Sequence, residues 1–140
     1  MTYSRTIRTT VTSNGAAVVE LIAGAVPIHV MEIGIALVNA TASVLALGRP
    51  AAAGITPTTP VGLLLNESAV GTSRATLAAA WGTGPTIPAA YYRQTALPAT
   101  AGAERIWSFE DGVFVPASGR LILWTLSVVS LADVYFVIEE

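Results

Sequence analysis

Two apolar runs near the C-terminus do most to narrow what this chain can become. They are "SGRLILWTLSVV" (Ser118 to Val129) and "ADVYFVI" (Ala132 to Ile138), separated only by "SL". Both are dense in Ile, Val, Leu and aromatic residues, and each falls short of the roughly 18 unbroken apolar residues of a spanning helix. They read as buried strands, and the short joint predicts antiparallel neighbours. The same punctuation recurs along the chain. "TYSRTIRTTVT" alternates, with Tyr3, Ile7 and Val11 on one face and Ser4, Thr6, Arg8 and Thr10 on the other, which predicts a half-exposed strand. "SNG" predicts a turn into a hairpin partner over Ala17 to Ala23. "PIHVMEIGIALVNA" predicts a strand buried on both sides, with His29, Met31, Ile33, Ile35 and Leu37 sharing a face. Further strands are expected over Ser43 to Leu47, Arg74 to Trp81, Ala90 to Leu97 and Glu104 to Phe109. "EDG" before "VFVP" then predicts a hairpin turn. The sum is about eight to nine strands in a single domain over residues 1–140, all-β, an antiparallel sandwich or barrel without a substantial helix.

Composition sharpens the mode of life. Hydrophobic residues make up 53% of the chain and charged residues 11%, against about 25% charged in an ordinary soluble domain. Mean hydropathy is +0.63, yet Glu20, Pro27, His29 and Glu32 interrupt the longest apolar stretch, so no membrane span is expected. A small monomer has little interior for so many apolar groups, which predicts an oligomer. A net charge of −2 argues against a nucleic-acid partner. There is no cysteine, and so neither a disulfide framework nor a thiolate metal site. The N-terminus shows no apolar signal region.

Little in the sequence reads as catalytic chemistry. His29 is the only histidine; Glu32, three residues on, is expected on the opposite strand face and so forms no dyad with it. Glu110 and Asp111 read as turn residues, and Glu139 and Glu140 as solvated. No G-x-S-x-G, P-loop or G-x-G-x-x-G occurs. An enzyme is not expected, and no cofactor or metal is implied. Trp81, Trp107 and Trp124 read as core fillers. Tyr91, Tyr92 and Arg93 stand out because adjacent strand residues face both sides, placing an interface-type anchor at the surface. Tyr135 and Phe136 put one aromatic on each face of the last strand.

The last third, "VFVPASGRLILWTLSVVSLADVYFVIEE", resembles the end of a tumour-necrosis-factor-like jelly roll: a "VPASG" corner, a long strand, a tight connection and a closing strand bearing aromatics. With its Ala/Gly/Thr/Pro-rich loops, the whole chain resembles the small decoration (cement, minor capsid) proteins of tailed bacteriophages. The resemblance implies a jelly roll made in the host cytoplasm that assembles as a homotrimer on the outside of the virion head. There it would clamp neighbouring major capsid subunits, with no catalytic residues to carry over. A phage tail or fibre receptor-binding module and a carbohydrate-binding sandwich are the alternatives.

"LGRPAAAGITPTTPVG" (Leu47 to Gly62) is short of the polar residues that keep a chain solvated, and its three prolines restrict φ. It reads as a rigid connection within one sandwich and as the docking loop, through Arg49, Pro50, Thr56, Pro57, Thr58, Thr59 and Pro60. Tyr91, Tyr92 and Arg93 join it as candidates for the capsid contact, and Trp124, Tyr135 and Phe136 for the contact between subunits. Shortening residues 51–59 to a Gly/Ser turn is expected to leave the fold intact and weaken assembly.

Overall fold

The computed structural model describes residues 1–11, 15–68, 70–127 and 129–140. Twelve strands are formed among them: β1 (Thr2–Val11), β2 (Ala16–Ile22), β3 (Ile28–Leu37), β4 (Ser43–Gly48), β5 (Ile55–Pro57), β6 (Val61–Leu65), β7 (Thr72–Ala78), β8 (Trp81–Thr83), β9 (Arg93–Leu97), β10 (Glu104–Val115), β11 (Arg120–Thr125) and β12 (Val129–Glu139). Every pairing is antiparallel. The expected all-β antiparallel class holds, with more strands than the sequence suggested. Among the described residues no helix is long and apolar enough to cross a membrane.

Ten strands form one continuous curled sheet, β10-β3-β12-β1-β6-β7-β2-β11-β4-β9, whose two four-stranded halves, β10-β3-β12-β1 and β2-β11-β4-β9, serve as the two sheets of the sandwich. The chain alternates between these sheets at almost every step, the wrapping of a jelly roll. Residues 49–92 are inserted between β4 and β9. Within the insertion, β6 pairs with β1 and β7 with β2, joining the two sheets along one side. A short ribbon of β5 and β8 forms separately. The free edges, β9 and β10, lie at the two ends of the curled sheet.

Alternation decides which side chains enter the core. Along β12, Val134, Phe136 and Ile138 are fully buried, whereas Tyr135 and Val137 face outward. Tyr3 and Ile7 of β1 pack inward, as the sequence pattern predicted. The exposed area of 6571 Å² is close to the roughly 6,800 Å² that scaling gives a compact monomer of this mass. The chain is thus as compact as its mass predicts, while Ile55, Leu64, Ile106 and Phe114 remain exposed on it.

Several local expectations give way to the jelly-roll wrapping. β1 and β2 are not a hairpin pair: β1 hydrogen-bonds β12 and β6, and β2 hydrogen-bonds β11 and β7. Ser13 and Asn14 of the expected turn lie outside the described residues. β11 and β12 are not neighbours either: the expected joint, Ser130 and Leu131, lies inside β12, and the two strands belong to different halves of the sheet. "EDG" is no hairpin turn but an irregularity within the single strand β10, between Ser108 and Val113, with Gly112 at φ +70°. A Cβ at Gly112 would come within 2.8 Å of the His29 Cβ, so glycine serves both the left-handed backbone and the close approach.

A matching irregularity sits on β3 between Val30 and Glu32. Val30 and Ile33 both face the core at 0% exposure, so the bulge reverses the alternation. His29 is consequently exposed, on the face opposite Ile33, Ile35 and Leu37 and the same face as Glu32. The expected both-sides burial of this strand, and the expected separation of His29 from Glu32, are thus both overturned.

Candidate interaction surface

The outer face of β2-β11-β4 is covered by the chain itself. Along β11, Leu121 and Leu123 enter the main core, so Ile122 and Trp124 point the other way. They are nevertheless fully buried, beside Ala17, because Trp81, Ile87 and Tyr91 of the insertion pack over them. Trp124 Nε1 donates to the Gly48 carbonyl at 3.1 Å. Leu47 to Gly62 runs beside the part of the insertion that carries Trp81. After β4, Ala51 N donates to Thr86 O at 3.0 Å and Thr86 N to Ala52 O at 2.9 Å. β5 then pairs with β8, and Thr58 N donates to Ala80 O at 2.8 Å. Thr56 and Thr59 adopt φ +53° and +43°, an unusual conformation for a β-branched residue. The segment is an ordered connection within one sandwich, as expected, and it pairs with the strand that brings Trp81 over the second apolar cluster.

The ten candidate contact residues do not form one surface, and five of them line two separate hollows. Thr58 and Thr59 line a hollow of about 280 Å³ with Arg5, Thr6 and Ile7 of β1. Arg49, Tyr91 and Tyr92 meet at a different corner, around a hollow of about 240 Å³. Tyr91 and Tyr92 precede β9 rather than lying in it. Their orientations follow from loop packing: Tyr91 leans onto the Trp124 cluster, and Tyr92 is 43% exposed. The Arg49 guanidinium lies 5.9 Å from the Tyr92 ring centroid and donates to the Phe114 carbonyl at 2.5 Å. The Phe114 ring in turn meets His29 at 5.4 Å. Arg93 lies over Phe109 at 5.2 Å and Arg105 donates to Thr95 at 3.1 Å. Side chains thus bridge the seam where β9 and β10 exchange no backbone hydrogen bonds, and charge guards both edges.

Of the three residues expected between subunits, Trp124 and Phe136 are fully buried within the chain, and Tyr135 alone reaches a surface. That surface is the outer face of β10-β3-β12-β1. Cross-strand rows place Ile106, Gly34, Tyr135 and Thr6 side by side, and Phe114 beside His29. Ile106 is 50% and Phe114 48% exposed. Tyr135 lies across Gly34, where a Cβ would overlap its ring, and its hydroxyl donates to Glu32 Oε1 at 2.5 Å. At the same face Arg8 and Asp133 form an exposed two-point pair, at 2.8 and 2.9 Å, that holds Asp133 below the usual carboxylate range.

Burial, then the hydrogen bond and charge of Glu32, push the Tyr135 phenol up to about 12, with Glu104 adding to the effect. A phenol raised above its unfolded value of 10.0 favours folding fully below that pH, and its contribution is lost as pH climbs toward about 12. Ultraviolet titration of tyrosinate should therefore show a step near pH 12 from Tyr135, and Tyr135→Phe should remove that step. A curve unchanged by that substitution refutes the assignment.

Sequence reasoning passed over Glu20. It is a fully buried carboxylate, bound through Oε1 by Arg120 Nη1 at 2.7 Å and by Trp81 Nε1 at 3.1 Å, while its Oε2 has no protein partner. The signal was present as a lone acid within "AVVELIA". Among the described residues no three His, Asp or Glu side chains gather as a metal-binding group. Comparison with known proteins finds no matching family model, no matching curated protein and no matching solved structure.

Proposed function

We propose that this chain is a structural virion protein, a homotrimeric decoration protein that binds the outside of a phage head and stabilises contacts between major capsid subunits. The observation that carries its self-association is an asymmetry between the two sheets. One outer face is roofed by the chain's own insertion, whereas the other leaves Ile106, Phe114 and Tyr135 without a cover. Exposed apolar and aromatic side chains on a rigid sheet suit a subunit contact. Closed symmetry would bury that face once in each copy. A trimer on a capsid would also join three weak contacts through effective concentration. The assignment to a phage head rests on the resemblance of the jelly-roll C-terminus and the Ala/Gly/Thr/Pro-rich loops.

Light scattering of the purified protein should give three times the chain mass of 14.4 kDa. Ile106→Arg, which places a charge at the middle of the bare face, should convert trimer to folded monomer. Heads assembled without the protein should retain it saturably on their surface. A wild-type monomer at every concentration, or heads that fail to retain the protein, would sink the proposal. A second reading, a carbohydrate-binding sandwich, draws on the exposed rings of Tyr92 and Phe114 at one corner; a glycan array without hits removes it.

A further inference from the structure

Arg49 and Arg120 line one hollow of about 310 Å³, and no carboxylate lines it with them. Neither guanidinium is spent. Arg120 gives one nitrogen to Glu20, and Arg49 gives one to the Phe114 carbonyl; each guanidinium carries five N–H donors. Arg120 is balanced by the buried Glu20 carboxylate, whereas among the described residues no ion pair balances Arg49, so the two arginines lining the hollow and that one carboxylate sum to one positive unit. That balance suits a carboxylate better than a dianionic phosphate.

The walls are small and fixed. Pro50, Pro116 and the three alanines at 51–53 make them, so the cavity exists because "PAAAG" carries almost no side-chain volume. Backbone hydrogen bonds hold both rims: Ala51 and Ala52 to Thr86, Ser118 N to Gly24 O at 2.9 Å, and Gly119 N to Pro116 O at 2.8 Å. Ser118 also lines the hollow, and a serine hydroxyl can donate a hydrogen bond. On the other side of Arg49 lies the hollow bounded by Ala90, Tyr91 and Tyr92, whose aromatic walls suit an apolar side chain.

We propose that this corner docks an acidic segment of a partner protein, seating an aspartate or glutamate carboxylate between Arg49 and Arg120 and an adjacent apolar side chain against Tyr91 and Tyr92. Charge complementarity and prearranged donors carry the assignment. It rests on the reading of residues 49–60 as a docking loop and adds the chemistry of what docks there.

The test is an amide NMR titration of the full chain with acetyl-Leu-Glu-Leu-amide and, separately, acetyl-Leu-Gln-Leu-amide. The glutamate peptide should shift amides around Arg49, Tyr92, Ser118 and Gly119 saturably, and the glutamine peptide should bind about tenfold more weakly. Arg49→Gln should remove the difference between the peptides. Ala52→Glu, which supplies the hollow with a carboxylate of its own, should block the glutamate peptide while leaving distant amides in place. Equal response to both peptides, shifts centred elsewhere, or full binding by Ala52→Glu overturns the inference. A trimer that ignores the peptide refutes this site alone; a monomer that binds it refutes the trimer alone.

Discussion

Arg120→Ala should cost this fold about 3 kcal/mol, at the lower end of what removing one partner of a buried ion pair costs. The lower end applies because the Arg120 side chain is 23% exposed and already shares part of its charge with water, while Glu20 is at 0%. In the variant, the carboxylate would keep only the Trp81 indole as a donor. An uncompensated charge buried beneath the ribbon is what destabilises, not the lost attraction itself. For a domain of this length the melting temperature should fall by about 10–15 °C. The diagnostic is the double variant. Glu20→Gln removes the buried charge, so the Glu20→Gln, Arg120→Ala protein should regain at least half of the loss. A single variant that melts within a degree or two of wild type, or a double variant no better than Arg120→Ala, shows that Glu20 is not held as described.

The same pair shows where sequence reasoning runs out. Alternation in "TYSRTIRTTVT" and the paired aromatics Tyr135 and Phe136 gave the correct inward and outward faces, because two-residue periodicity is local. What failed was set by distant chain. "EDG" is as good a bulge as a turn, and only the register of β10 against β3 decides between them. The complementary bulge on β3 moved His29 to the face of Glu32, a reversal that no pattern within "PIHVMEIGIAL" announces. β11 and β12 are close in sequence yet do not pair, since both neighbours of β11 are strands from much earlier in the chain. Tyr91 and Tyr92 read as opposite faces of a strand, yet that strand begins only at Arg93. The lone acid in "AVVELIA" was the one legible clue that a second layer lies outside that sheet, since a glutamate among buried strand residues needs a cation and a cover.

The second layer carries the largest expected loss. Trp124→Ala should destabilise the protein by about 3–5 kcal/mol, the usual cost of truncating a buried tryptophan. The side chain is fully buried, its indole N–H is paired with Gly48, and the main core cannot refill the space because Leu121 and Leu123 face away from it. The damage should be unevenly spread. The ribbon rests on Trp124 through Trp81, Ile87 and Tyr91 and is tied down by few backbone bonds. Amide exchange at Ala51, Thr58 and Thr86 should therefore accelerate more than in β3 and β12. Replacing residues 51–59 with a Gly/Ser turn tests the same layer from above. That change removes the backbone partners of Ala80, Trp81, Thr83 and Thr86 and so loosens the Trp81 cover; it should lower stability as well as any assembly, contrary to the expectation that a docking loop is dispensable to the fold. If shortening the loop leaves the melting temperature untouched, Trp124 is not held in place by this segment, and the ribbon is only a passenger on the sheet.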